Sequence, residues 1–163
     1  GMSAFGLSKQ LNVSRQDAEQ MIHRYFERYP GVKLYRDRIR QQALEEGFVE
    51  TLSGRRLYLP DIRSTHVMKR KAAERMAINA PMQGTAAELI KLAMIHLAEW
   101  QTSQGLGKAV MVLQVHDELL FEVQLPYLEE VKAVVRDRME HVMRLSVPLR
   151  VAIGIGQHWG EAH

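Results

Sequence analysis

The chain has 163 residues, 46% hydrophobic and 25% charged, with no cysteine and a formal net charge of +3 at pH 7. That length suits one domain with a sizeable core, and the lack of cysteine excludes a disulfide framework and any thiolate metal site. No apolar run approaches a membrane span and no signal-peptide layout opens the chain, so no membrane partner is expected and the cytoplasm is the expected compartment.

In the opening GMSAFGLSKQLNV no clear helix start precedes Ser14. Gly1-Met2 reads either as an added remnant or as part of a longer sequence. Ser14 and Asp17 form S-x-x-D, a relative of the capping box, and Ala18, Met21, Ile22, Tyr25, Phe26 and Tyr29 then follow one helical face. Pro30-Gly31 ends that helix. A second one turns Val32, Tyr35, Ile39 and Ala43 inward, with Gly47 as its C′ residue. Residues 48–52 and 56–59 read as short strands about the Ser53-Gly54 turn, closed by Pro60-Asp61.

From about Thr65 to Gln101 the pattern is helical again. A basic part (His66, Lys69, Arg70, Lys71, Arg75) precedes an amphipathic one (Ala86, Leu89, Ile90, Ala93, Met94, Leu97). Pro81 between them is expected to kink or break the helix, because it lacks an N–H and crowds the preceding turn. Residues 110–123, VMVLQVHDELLFEV, are two branched and aromatic runs meeting at a polar tip, and read as a β-hairpin buried on both faces. Pro126 suits the first position of a last helix, with Leu128, Val131, Val135, Met139 and Val142 on its inner face. Residues 147–155 read as a final strand. The fold class is α+β: helices with a small β-hairpin, then a hairpin and a final strand packed on long helices.

Two places carry chemistry. At the tip, His116-Asp117-Glu118, carboxylates beside a dry sheet need an offsetting charge, from a divalent cation or a neighbouring Arg or Lys. Asp117, shorter and at the turn, is the better ligand, and a plain turn pair is the competing reading. Along the long helix, Arg75, Asn79 and Gln83 recur every four residues on one face. Such groups suit the minor-groove acceptors that every base pair presents, and equally suit a solvated helix side. Lys33–Arg40, Arg55-Arg56 and Lys69–Lys71 suit phosphates or plain solvation. Met76, Met82 and Met94 read as core. The histidines show no metal-ligand spacing.

Taken together, QVHDELLFEV, AAERMAINAPMQGTAAELIKLAM, FVETLSGRRLYLPDI, YFERYPGV, GMSAFGL and VPLRVAIGIGQHWGEAH resemble successive segments of the bacterial family A DNA polymerases, over essentially the whole chain. The resemblance implies that residues 1–62 are distal fingers helices and their hairpin, and 63–163 the C-terminal half of the palm. It implies that Asp117 ligates catalytic Mg²⁺ with Glu118 in support. Arg75, Asn79, Gln83, His116, Gln114, Lys69 and Arg70 would contact primer–template DNA, and Ser3 with Met2 would lie near the template strand.

Departures from the family pattern limit this. Nucleotidyl transfer uses two metals about 4 Å apart, clamped between carboxylates. The family's earlier D-Y-S-x-I-E-x-R-like motif, its triphosphate-gripping fingers helix and its thumb have no counterpart in these residues. The sequence therefore holds half a metal site and almost none of the dNTP site, and the isolated chain is expected not to polymerise. A non-catalytic DNA-binding module is the alternative. A partial palm also exposes an unpaired sheet edge or apolar face, so a symmetric homodimer is expected.

Overall fold

The computed structural model describes residues 3–162. In order it has α1 (Ala4–Leu11), α2 (Arg15–Arg28), α3 (Pro30–Glu46), β1 (Phe48–Glu50), β2 (Arg56–Tyr58), α4 (Val67–Ser103), β3 (Ala109–Val115), β4 (Glu118–Val123), α5 (Leu128–Glu140) and α6 (Trp159–Ala162). Among the described residues the strands pair as two antiparallel hairpins, β1-β2 and β3-β4, so the class is α+β. The chain divides into two compact units, Gly1–Thr85 and Ala86–His163.

Capping chemistry delimits the first helices. Helix α1 lies where the sequence shows no clear helix start before Ser14, and it buries no residue. Its signals are local: Ser3 Oγ accepts the Gly6 N–H at 3.1 Å, and Asn12 closes it in the left-handed region at φ 54°. Ser14 starts α2 by accepting the Asp17 N–H at 3.0 Å, as its motif implies. The spaced apolar residues of α2 do lie on a helix, but only Ala18 is buried, while Met21, Tyr25 and Tyr29 are exposed. Pro30 opens α3 and Gly47, at φ 80°, ends it. Ile39 and Ala43 of α3 face inward as expected, whereas Val32, in its first turn, is exposed.

The core of this unit gathers Ile39, Ala43, Val49, Leu59, Ile62, Ala73 and Ala77. Polar links brace it. The Tyr35 hydroxyl donates to the Ile78 carbonyl at 3.4 Å, and burial pushes its phenol pKa up against the opposing pull of Arg38. Arg40 pairs with Glu74 at 2.5 Å. Arg63, ending the 3-10 turn Pro60–Arg63, donates Nε to the Leu44 carbonyl and Nη2 to the Glu45 carbonyl, each at 2.8 Å. It thus caps the last turn of α3 with a cation, where the helix dipole is negative.

Of the two outcomes expected at Pro81, a break does not occur: the helix runs from Val67 to Ser103 with the proline inside. An interior proline costs about 3 kcal/mol or more. Burial of Pro81, Ala77 and Ile78 offsets part of that cost, and Thr85 Oγ1 donates to the Pro81 carbonyl at 2.6 Å.

In the second unit, Trp100, Ala109 and Val131 form a buried cluster with Phe121, Val123, Val134 and Val135 against it. Pro126 lies in the 3-10 turn Leu125–Tyr127 that leads into α5. Two expectations fail here. Residues 147–155 form no strand, and the β3-β4 hairpin is not buried on both faces. Val110, Val112 and Leu113 are exposed, at 44–49% of their full area. With two strands in the sheet, only one face has a layer to pack on.

Ile62, 2% exposed, is among the largest fully buried side chains. Ile62→Ala should lower unfolding free energy by about 3 kcal/mol. Arg63→Ala should cost about 1 kcal/mol, and Arg63→Lys should not restore it, because one ammonium cannot serve both carbonyls in a fork. Urea denaturation of the three variants checks both effects.

Candidate nucleic-acid interface and metal ligand

The tip of the second hairpin is built by register. Val115 pairs with Glu118, which leaves His116 and Asp117 as a two-residue loop. Such loops need positive φ at the first central position, and His116 supplies it at φ 53°. Histidine is among the few non-glycine types that enter this region readily. Gln114 Nε2 donates to the His116 carbonyl at 2.6 Å and braces the loop from the strand.

All four tip residues, Gln114, His116, Asp117 and Glu118, are exposed to solvent. This overturns the premise that the carboxylates sit against a dry sheet, since in water they need no counter-charge to exist. Among the described residues no three His, Asp or Glu side chains gather to hold a metal ion. The tip therefore offers carboxylate ligands without completing a site for a divalent ion.

On α4, Arg75, Asn79 and Gln83 are all exposed and share one face, spanning about 12 Å along the axis. Met76 and Met82 beside them are also exposed, which corrects their assignment to the core; Met94 is half-buried. Lys69 is exposed, while Arg70 donates to the Ser64 carbonyl at 3.2 Å. Ser3 is engaged in capping α1, and Met2 lies outside the described residues.

Other basic side chains are committed to structure. Arg36 stacks over Phe26 at 4.8 Å, and Arg56 pairs with Glu50 at 2.8 Å while lying over Phe48. Thr85 is a residue that sequence reasoning passes over. Its signal is a threonine four residues after a helix-interior proline, placed to accept and donate beside the Gln83 turn.

The sequence model of DNA polymerase family A matches residues 1–161. The chain belongs to that family. It is 55% identical over its full length to DNA polymerase I of Pseudomonas aeruginosa, of which it covers 18%. It is 47% identical to the thermostable DNA polymerase I of Thermus filiformis, over 99% of this chain and 19% of that one. The solved POL domain of Pol1 from M. smegmatis, in complex with DNA primer-template and dNTP, superposes with a TM-score of 0.95 at 43% identity, over 99% of this chain and 28% of that one. This family A chain thus spans about a fifth of the length of the curated relatives it matches.

The turn geometry of this family A segment is testable without DNA. His116→Val should destabilise the second unit by about 1–2 kcal/mol, because a β-branched residue is strained at positive φ. His116→Asn should stay within about 0.5 kcal/mol of the parent. Thermal melts of the two variants distinguish a left-handed His116 from an extended one, for which the order reverses.

Proposed function

We propose that this chain is a segment of a DNA-directed DNA polymerase, acting in template-directed addition of deoxynucleotides to a primer 3′-OH during replication and repair in the cytoplasm. Residues 1–62 would serve as distal fingers and 63–163 as the C-terminal half of the palm. The observation that carries the reading is the end-to-end family match, on a chain whose structure exposes Arg75, Asn79 and Gln83 on one helix and Asp117 at a hairpin tip. The proposed partners are DNA primer-template and dNTP, the two held by the M. smegmatis POL domain in its solved complex.

Each group has a role suited to its chemistry. Arg75, Asn79 and Gln83 present donors on a rigid helix to the N3 and O2 acceptors of the minor groove, which are present at every base pair and so confer contact without sequence preference. Lys69 and Arg70 add phosphate contacts, and Ser3 lies toward the template strand. His116 and Gln114 border the primer end. Asp117 offers one carboxylate to a divalent ion, for which Mg²⁺ is the proposed identity, with Glu118 in support. Bound ions in such a pair supply activation of the 3′-OH and stabilisation of the leaving pyrophosphate. These residues do not complete that site, so the chemical step is not assigned to the isolated chain.

The purified chain should give no template-dependent extension of a labelled primer with all four dNTPs and Mg²⁺. Robust incorporation would overturn the half-site reading. Grafted in place of the matching residues of the P. aeruginosa enzyme, the same chain should restore extension, and Asp117→Ala in that chimera should lower the rate by about 100-fold or more. Fluorescence anisotropy at low salt should show the chain binding duplex DNA, with affinity falling as salt rises. Arg75→Ala or Gln83→Ala should weaken that binding, and absence of any low-salt binding would remove the DNA-contact role.

The exposed Val110, Val112 and Leu113 on β3 favour a second property, a symmetric homodimer of the isolated chain through the open hairpin face. Light scattering across a concentration series should give a mass rising toward twice 18.7 kDa. A constant monomer mass at high concentration refutes the dimer.

A further inference from the structure

Between Pro81 and Thr85 the helix is held from outside by the turn of the first hairpin. Pro81 has no N–H to give to the turn before it, so α4 lacks one rung of its own ladder at this point. The buried Thr85 hydroxyl donates to the Pro81 carbonyl at 2.6 Å and accepts the Leu52 N–H at 3.1 Å. One side chain thus ties the Pro81–Thr85 turn, directly after the weakened rung, to the hairpin backbone. Beside it, Gly84 lets the hairpin approach closely. A Cβ on Gly84 would stand 2.5 Å from Thr51 Cγ2, a distance that real Cβ atoms do not adopt. The Thr51 methyl cannot swing aside freely, since Thr51 Oγ1 accepts the Arg55 N–H at 3.1 Å and lies 3.2 Å from Ser53 Oγ.

Gln83 rises from this same turn. It lies about 200° around the helix from Thr85, so the hairpin grips the helix from the side away from the exposed stripe. We infer that Thr85, aided by Gly84, is a positioning residue that fixes the Gln83 turn of α4 against the Thr51–Leu52 corner and thereby sets how Gln83 meets DNA. The inference rests on the DNA-contact role given above to Gln83. Its physical basis is that a donor on an unlocked helical turn must order that turn on binding, which weakens the complex.

The test uses the chain with a fluorescein-labelled primer–template duplex at low salt. Melting curves verify folding of each variant. Thr85→Val keeps the shape and removes both hydrogen bonds, and should weaken binding about five-fold. Thr85→Ser, which keeps the hydroxyl, should remain within about two-fold. In a Gln83→Ala background, Thr85→Val should have little further effect, because the two residues act as one unit. Gly84→Ala should mimic Thr85→Val by pushing the hairpin away. Adding Thr51→Ser, which removes the obstructing methyl and keeps the hydroxyl, should bring binding back to within about two-fold. This rescue keeps the proposal falsifiable even where Thr85→Val does not fold.

Unchanged binding in Thr85→Val and Gly84→Ala, alongside weakened binding in Gln83→Ala, would overturn the positioning role while leaving the DNA reading intact. So would an equal loss from Thr85→Val with and without Gln83, or a failure of Thr51→Ser to rescue Gly84→Ala. A wild-type chain that does not bind the duplex would overturn the DNA reading and the positioning role together.

Discussion

A proline in the middle of a 37-residue helix has to be held by something other than the helix. In α4 Pro81 is buried, and four residues on, the Thr85 hydroxyl accepts the Leu52 N–H of the first hairpin while donating to the Pro81 carbonyl. An interior proline weakens a helix at its own turn. The helix nevertheless continues through Pro81, so Arg75, Asn79 and Gln83 all lie on helical backbone. A four-residue repeat makes a straight row of donors only while the phase holds. The chemistry proposed for α4 therefore depends on the helix continuing through Pro81.

The Asp117 tip obeys a different constraint. A two-residue loop fixes the direction of its side chains through the backbone alone, since strand register and the positive φ of His116 leave little freedom. Gln114 adds a bond from the strand to the loop carbonyl. The carboxylate is thus aimed while still fully hydrated. A hydrated carboxylate has no desolvation cost to relieve and remains an open ligand position. Such an arrangement suits a ligand meant to be completed by groups from elsewhere, because nothing internal competes for it.

Much of this was legible in the residues. Ser14, Gly47 and the Ser53-Gly54 turn act locally, and local capping and turn chemistry needs no knowledge of the rest of the chain. The Arg75, Asn79 and Gln83 spacing was equally plain. The misses share a physical cause. Met21, Tyr25, Met76, Met82, Val110 and Leu113 have the pattern of buried residues, yet they are exposed. Periodicity reports which face is apolar and not whether anything covers it. Residues 147–155 read as a strand by composition, but a strand exists only when a neighbour pairs with it, and composition does not name the neighbour. Helix α1 was passed over although its Ser3 and Asn12 caps are local signals, because neither is coupled to the stronger capping-box pattern that marks Ser14.

Those exposed apolar side chains bear on how the segment works. A chain that spans 18% of the P. aeruginosa relative carries apolar faces whose pattern matches burial in a larger body. The Asp117 tip is likewise open: among the described residues no further His, Asp or Glu side chains gather with it to hold a metal ion. The small hairpin on α4 is the exception, since its core, its Arg63 cap and its Thr85 bond are all internal to Gly1–Thr85. The stripe proposed to contact DNA is held by contacts the chain supplies itself, whereas the proposed metal ligands are not gathered into a set among the described residues. Duplex contact is accordingly the property of this family A segment with the strongest physical claim to survive on its own.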